Sequence, residues 1–203
     1  MSVREIDTPH GPARVHAHEA EPPRAALVLG HGAGGGVDAP DLKVATRVAL
    51  ARRVSVFLVE QPYRVAGRRS PPRAPVLDQA WVSVVGRLGT GSLPLVAGGR
   101  SSGARVACRT AAAVGAVGVL CLAFPLVPPP RRGSTAEPKS RQAELDGVAV
   151  PLLVVQGERD RFGMPEPAVV RRVAVVRGDH GLKSDAAAVA AAIDGWLEEL
   201  LVA

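Results

Sequence analysis

Aromatic side chains are scarce in this chain: three Phe, two Trp and one Tyr amount to 3% of 203 residues. Ala, Val and Leu must therefore fill the core, and no array of aromatics is on hand to stack single-stranded bases. There are only two cysteines, Cys108 and Cys121, both inside Ala/Val-rich segments. That excludes a disulfide framework and predicts buried, unpaired thiols in a reducing compartment. No CxxC or HExxH occurs. The HxH pair His16 and His18 would share one face of a strand, too little to hold a metal, so no metal and no cofactor are expected. No stretch reaches the ~18 consecutive apolar residues of a membrane span. The opening MSVREIDTPHG has no apolar segment of a secretory signal, which predicts a cytoplasmic protein with no membrane partner.

What is abundant is arginine, which dominates a formal net charge of +6. The arginines are scattered from Arg4 to Arg177 and form no dense basic run, so a solvated basic surface is expected, with no nucleic-acid partner. With 47% hydrophobic residues, the length suits one well-filled core and predicts one domain over residues 1–203.

Residues 3–7 and 13–18 read as a hairpin joined at Pro9-His10-Gly11-Pro12. Short apolar runs follow at 25–29, 54–59, 93–97, 117–122, 152–156 and 173–176, each continuous, as in strands buried on both faces of a parallel sheet. Helices are predicted between them at 41–51, 76–88, 102–113, 140–146 and 165–171. A last one at 185–200 would have Ser184 as N-cap and Val189, Ile193, Trp196, Leu197 and Leu200 on its inner face. The fold class is α/β: a mostly parallel central sheet flanked by helices on both faces, after an N-terminal hairpin. Such sheets bind ligands at the carboxyl ends of their strands, so those loops carry the functional argument.

The run Leu95–Ala107 takes a buried strand into Gly99-Arg100-Ser101-Ser102-Gly103 and at once into an Ala-rich helix. This is the layout of a nucleophile elbow, where a strained strand-to-helix turn lifts the serine above the sheet and nearby β-carbons would collide with neighbouring backbone. Upstream, Gly30-His31-Gly32-Ala33-Gly34-Gly35-Gly36 follows the strand at 25–29. Its small residues allow the Ala33 N–H to join that of Ser102 in an oxyanion hole, with His31 bracing the loop. The same glycines also satisfy a dinucleotide fingerprint, with Glu60 as ribose acid. Against it, Asp38-Ala39-Pro40 starts the next helix well after the glycines, and the fingerprint normally opens its domain. Further on, Asp160 lies just past the strand at 152–156 and His180 just past the strand at 173–176. Glu158 and Asp179 are alternative acids. His180 is the only histidine after Ser101, hence the one candidate base in a Ser–acid–His order.

Together HGAGGG, GGRSSG, GERDRFG and GDHGL resemble a compact bacterial α/β-hydrolase, in the branch similar to dienelactone hydrolases, from Ala25 to the final helix. The resemblance implies an α/β-hydrolase fold with a sheet of eight or slightly fewer strands, and ester or thioester hydrolysis by Ser101, Asp160 and His180. Two departures stand out. Where many members carry a helical cap, only about twenty residues lie here between Pro128 and Gly147, predicting a minimal cap or none. The nucleophile is also Ser, where true dienelactone hydrolases have Cys.

The expected partner is a small-molecule acyl substrate. Loop 61–75 brings Tyr63, Arg64, Arg68, Arg69 and Arg73 to the active edge, and Arg131 and Arg132 lie in another loop there. Tyr63, Arg68 and Arg69 are candidate substrate contacts, for an anionic acyl donor in the case of the arginines; solubilising surface charge is the alternative. A hydrolase scaffold that only binds a partner is the other reading of the chain.

Overall fold

The structure, a computed structural model, describes residues 1–128 and 138–202. Eight strands form one sheet in the order β1-β2-β4-β3-β5-β6-β7-β8. The hairpin strands β1 (Ser2–Thr8) and β2 (Gly11–His18) are antiparallel, and β2 joins β4 (Val54–Glu60) antiparallel. From β4 the ladder is parallel through β3 (Ala25–Gly30), β5 (Leu95–Arg100), β6 (Gly118–Leu122), β7 (Leu152–Gly157) and β8 (Arg171–Val176).

The continuous apolar runs are explained by two cores, one on each face. Alternate residues point opposite ways along a strand. Val28, Ala97, Val119 and Val154 therefore pack under α3 (Ala74–Val85) and α4 (Ser102–Thr110). Leu27, Val96, Leu120 and Val155 pack under α1 (Pro40–Ala51) and α6 (Ala186–Val202). Val189, Ile193, Trp196 and Leu197 of α6 are buried, with Leu200 packed alongside. Cys108 and Cys121 are buried and free, with sulfurs 3.4 Å apart.

Several elements differ from expectation, for physical reasons. Residues 165–171 are not a helix. Pro165 and Pro167 flank Glu166, which disfavours helical backbone before Pro167, and the β-branched Val169 and Val170 lead into β8 at Arg171. Strand β5 starts at Leu95, after a proline that cannot donate to the ladder, and continues through the glycines to Arg100. A one-turn helix α2 (Pro62–Val65) follows β4, too short to leave a periodic signal. The cap of α6 is Asp185, whose Oδ1 accepts the Ala188 N–H at 3.0 Å, rather than Ser184. The described residues between β6 and β7 add only the five-residue α5 (Gln142–Asp146); the loop expected to bring Arg131 and Arg132 to the active edge lies outside the described residues at those positions. Among the described residues no helix is long and apolar enough to cross a membrane.

Candidate active site

The site is built where β3, β5, β7 and β8 end on the same edge. At the end of β5 the chain turns at Ser101, which has φ 52° and ψ −109°, and α4 begins at the next residue. An L-residue occupies this region at a cost, so surrounding packing must impose it. The packing is backbone on backbone. A β-carbon on Gly99 would stand 2.6 Å from the Gly30 carbonyl oxygen and 2.7 Å from the Gly103 carbonyl carbon, and one on Gly103 would collide with Gly30 itself. The Ser101 N–H is also spent, donating to the Leu122 carbonyl at 2.9 Å.

Above this turn the imidazole of His180 lies with Nε2 3.0 Å from Ser101 Oγ and Nδ1 2.8 Å from Asp160 Oδ2. A carboxylate at Nδ1 assigns the proton there, which leaves Nε2 to accept from the serine hydroxyl. The Asp160 side chain is fully buried and held at both oxygens: Oδ1 takes the Phe162 N–H and Oδ2 takes the Gln156 side-chain amide, each at 2.9 Å. That amide also reaches the carbonyls of Phe124 and Gly163, and Gln156 is itself buried. The Phe162 ring packs edge-on against the imidazole, centroids 4.5 Å apart. The alternative acids are elsewhere: Glu158 faces Arg159, and Asp179 caps its own turn through the Gly181 N–H.

The glycine loop after β3 lies across the elbow, with the Gly32 α-carbon facing Ser101 Cβ and the Arg100 guanidinium. His31 is buried; its Nδ1 donates to the Gly32 carbonyl at 2.8 Å and its Nε2 accepts the Gln61 N–H at 3.1 Å. Burial pushes its pKa below the usual value, so the ring is neutral. Ala33 is part-exposed, and its carbonyl accepts the Tyr63 hydroxyl at 2.7 Å. Ser102 opens α4, where the first amide groups have no intrahelical acceptor.

Ser101, Asp160 and His180 are thus in one hydrogen-bonded row, with Ser102 and the Ala33 loop beside it. Tyr63 is not at the surface of the site: it is buried behind the loop, and burial pushes its phenol up to about 12. Arg68 and Arg69 are exposed, and Arg68 lines a separate hollow of about 220 Å³ with His10, Gln61, Pro62 and Tyr63. Gln156, Phe162 and Arg100 carry no local sequence signal, because their roles arise from contacts across the fold. The dinucleotide geometry is not formed. α1 starts at Pro40, with no glycine in its first turn, and Glu60 is engaged by His16 at 3.1 Å and by Arg14 at 3.5 Å. Among the described residues no cluster of three or more His, Cys, Asp or Glu is arranged to hold a metal.

The whole architecture has counterparts among solved structures. The lid-less α/β serine hydrolase XC6422 from Xanthomonas campestris superposes with a TM-score of 0.76 at 18% identity, over 100% of this chain and 95% of that one. Est1E from Butyrivibrio proteoclasticus gives 0.77 at 13% identity over 100% of both chains. A dienelactone hydrolase from Anabaena variabilis gives 0.72 at 14% identity, over 98% of this chain and 96% of that one. No curated protein sequence matches. The profile of the family described as alpha/beta hydrolase domain matches residues 23–190, most of the chain, and the protein belongs to that family.

Proposed function

We propose that the protein hydrolyses a carboxylic ester or thioester through an acyl-enzyme on Ser101. The observation that carries this reading is the row Asp160–His180–Ser101, with contacts of 2.8 and 3.0 Å, standing on a serine held at positive φ. His180 Nε2 takes the hydroxyl proton as Ser101 Oγ attacks the acyl carbon, and Asp160 holds the imidazole and stabilises its protonated form. The amide groups of Ser102 and Ala33 receive the oxyanion; a single donor of this kind typically contributes a ~100- to 1,000-fold rate increase. The protonated imidazole then gives its proton to the leaving alcohol or thiol. Water, deprotonated by the same Nε2, attacks the acyl-enzyme and releases the acid, returning the proton to Ser101.

The fold neighbour Est1E has been solved with ferulic acid bound, which supports testing aryl carboxylic esters first. Arg68 and Arg69 lie on the active edge, and a preference for an anionic acyl donor would come from these two exposed cations. The test is intact mass after treatment with a fluorophosphonate. One adduct on the parent chain and none on Ser101→Ala is the expected result. A folded parent that takes no adduct would refute the reading and leave a scaffold that binds without catalysis.

A further inference from the structure

Arg100 makes contacts that the chemistry above does not use. It precedes Ser101, yet its guanidinium reaches three separate elements. Nε pairs with Asp41 Oδ2 at 2.8 Å, in the first turn of α1, and Nη2 donates to the His180 carbonyl at 2.9 Å. Nη1 lies 3.0 Å from where a β-carbon on Gly32 would stand, so it fills the space under the glycine loop. Asp41 is completely buried. Its burial pushes the carboxyl pKa up, and the Arg100 charge pulls it back. Buried ion pairs are often replaceable by apolar residues of like volume without loss of stability, so stability alone does not account for this one.

Geometry does account for it. Ser101 touches His180 through the imidazole, and the residue just before it touches His180 through the carbonyl. Two consecutive residues of the elbow therefore grip both ends of the histidine, one of them by a planar fork whose other arm is anchored in α1. We propose that Arg100, fixed by Asp41, is a positioning residue that sets the register between the Ser101 elbow, the His180 turn and the Gly30–Gly36 loop. The planar guanidinium holds a charge contact to a carboxylate and a hydrogen bond to a carbonyl at the same time, which a lysine ammonium on a flexible stem does not.

This inference rests on the reading of Ser101 and His180 as nucleophile and base, and its test separates the two. The full chain and its Arg100→Met, Arg100→Lys and Asp41→Asn variants are compared with p-nitrophenyl acetate, with circular dichroism confirming the fold. Loosening the register should lower kcat of Arg100→Met on the order of 100-fold with KM within about twofold. Arg100→Lys and Asp41→Asn should each fall about 10-fold, and they carry the test if Arg100→Met does not fold. In parallel, the downfield proton resonance of His180 Nδ1–H should be present in the parent and broadened or lost in the Arg100 variants. Unchanged kcat in folded Arg100 variants, or an unchanged downfield proton, would overturn the proposal. A parent inert to both ester and fluorophosphonate defeats the reading of the site instead, while the proton resonance still decides on Arg100.

Discussion

Two loops leave the same edge of the sheet on either side of β3, and they are built in opposite ways. The turn after β5 has no freedom: Gly99 and Gly103 abut the Gly30 backbone, Ser101 is held at φ 52°, and Arg100 is tied to a buried carboxylate. The loop after β4 is open. Its Gly67, at φ +74°, has nothing within 4 Å of a would-be β-carbon, and Arg68, Arg69 and Arg73 are exposed. Both are rich in residues that look functional in sequence, a GxSxG in one and a cluster of arginines in the other. What separates them is how far the rest of the molecule constrains each residue. Strained backbone persists only where packing over-determines it, and that degree of constraint points to the β5 turn as the place where chemistry needs geometry.

The most disruptive change to this contrast is Ser101→Gly. It removes the proposed nucleophile and, in the same step, relieves the positive φ. Ester hydrolysis should drop on the order of 10⁵-fold or more. Stability should rise by about 1 kcal/mol, read as a higher Tm, because glycine occupies this backbone region freely. An unchanged or lower Tm would show that the elbow is not under strain.

Next comes a matched pair of glycine substitutions. Gly103→Ala places a methyl group against the Gly30 backbone, which cannot swing aside as a side chain could, and should cost about 3 kcal/mol or more in urea unfolding. Gly67→Ala meets only open space and should cost about 1 kcal/mol, the conformational cost of positive φ alone. Equal losses at the two positions would erase the distinction between the loops.

The two loops meet at His31, which belongs to the glycine loop and accepts the N–H of Gln61 at the start of the other. Its folded pKa lies below the usual 6.5, chiefly through burial. Below pH 6.5 the unfolded chain therefore binds a proton that the folded chain refuses. Stability contributed by the neutral ring is complete above that pH and declines as pH falls toward the folded pKa. Tm should drop with acidification in this window, and His31→Gln should flatten the drop; an equally steep profile in the variant would count against the neutral bracing role.

Much of this organisation is legible in the chain, for reasons that also explain the gaps. Buried parallel strands show as unbroken apolar runs such as 25–29 and 152–156, and an elbow shows as glycines at fixed offsets around a serine between strand and helix. Local signals fail where short-range preferences conflict or where the partner is distant. Ala168, Val169 and Val170 read as helix until the prolines before them are weighed. Asp160, the acid favoured in sequence for its place just past a strand end, lies 2.8 Å from His180, while the alternatives Glu158 and Asp179 are engaged elsewhere. Gln156 reads as an ordinary strand residue until its amide is found on Asp160, and Arg100 meets His180 across 80 positions of chain. Tyr63, a candidate substrate contact in sequence, is buried in α2, and its hydroxyl donates to the Ala33 carbonyl, a contact no local pattern announces.

The smallest expected effect concerns the arginines of the open loop. The double variant Arg68→Ala/Arg69→Ala should leave kcat/KM for a neutral ester within about twofold. For an ester with an anionic acyl group it should lower kcat/KM no more than about fivefold at low salt, since exposed ionic contacts contribute ~1 kcal/mol or less. That loss should vanish near 1 M salt, where the screening length shrinks to ~3 Å. A loss of ~100-fold that survives high salt would mean that the guanidinium groups close over the bound substrate, out of water and in fixed geometry. The open loop would then have to order around substrate, and its present exposure would describe only the unliganded protein.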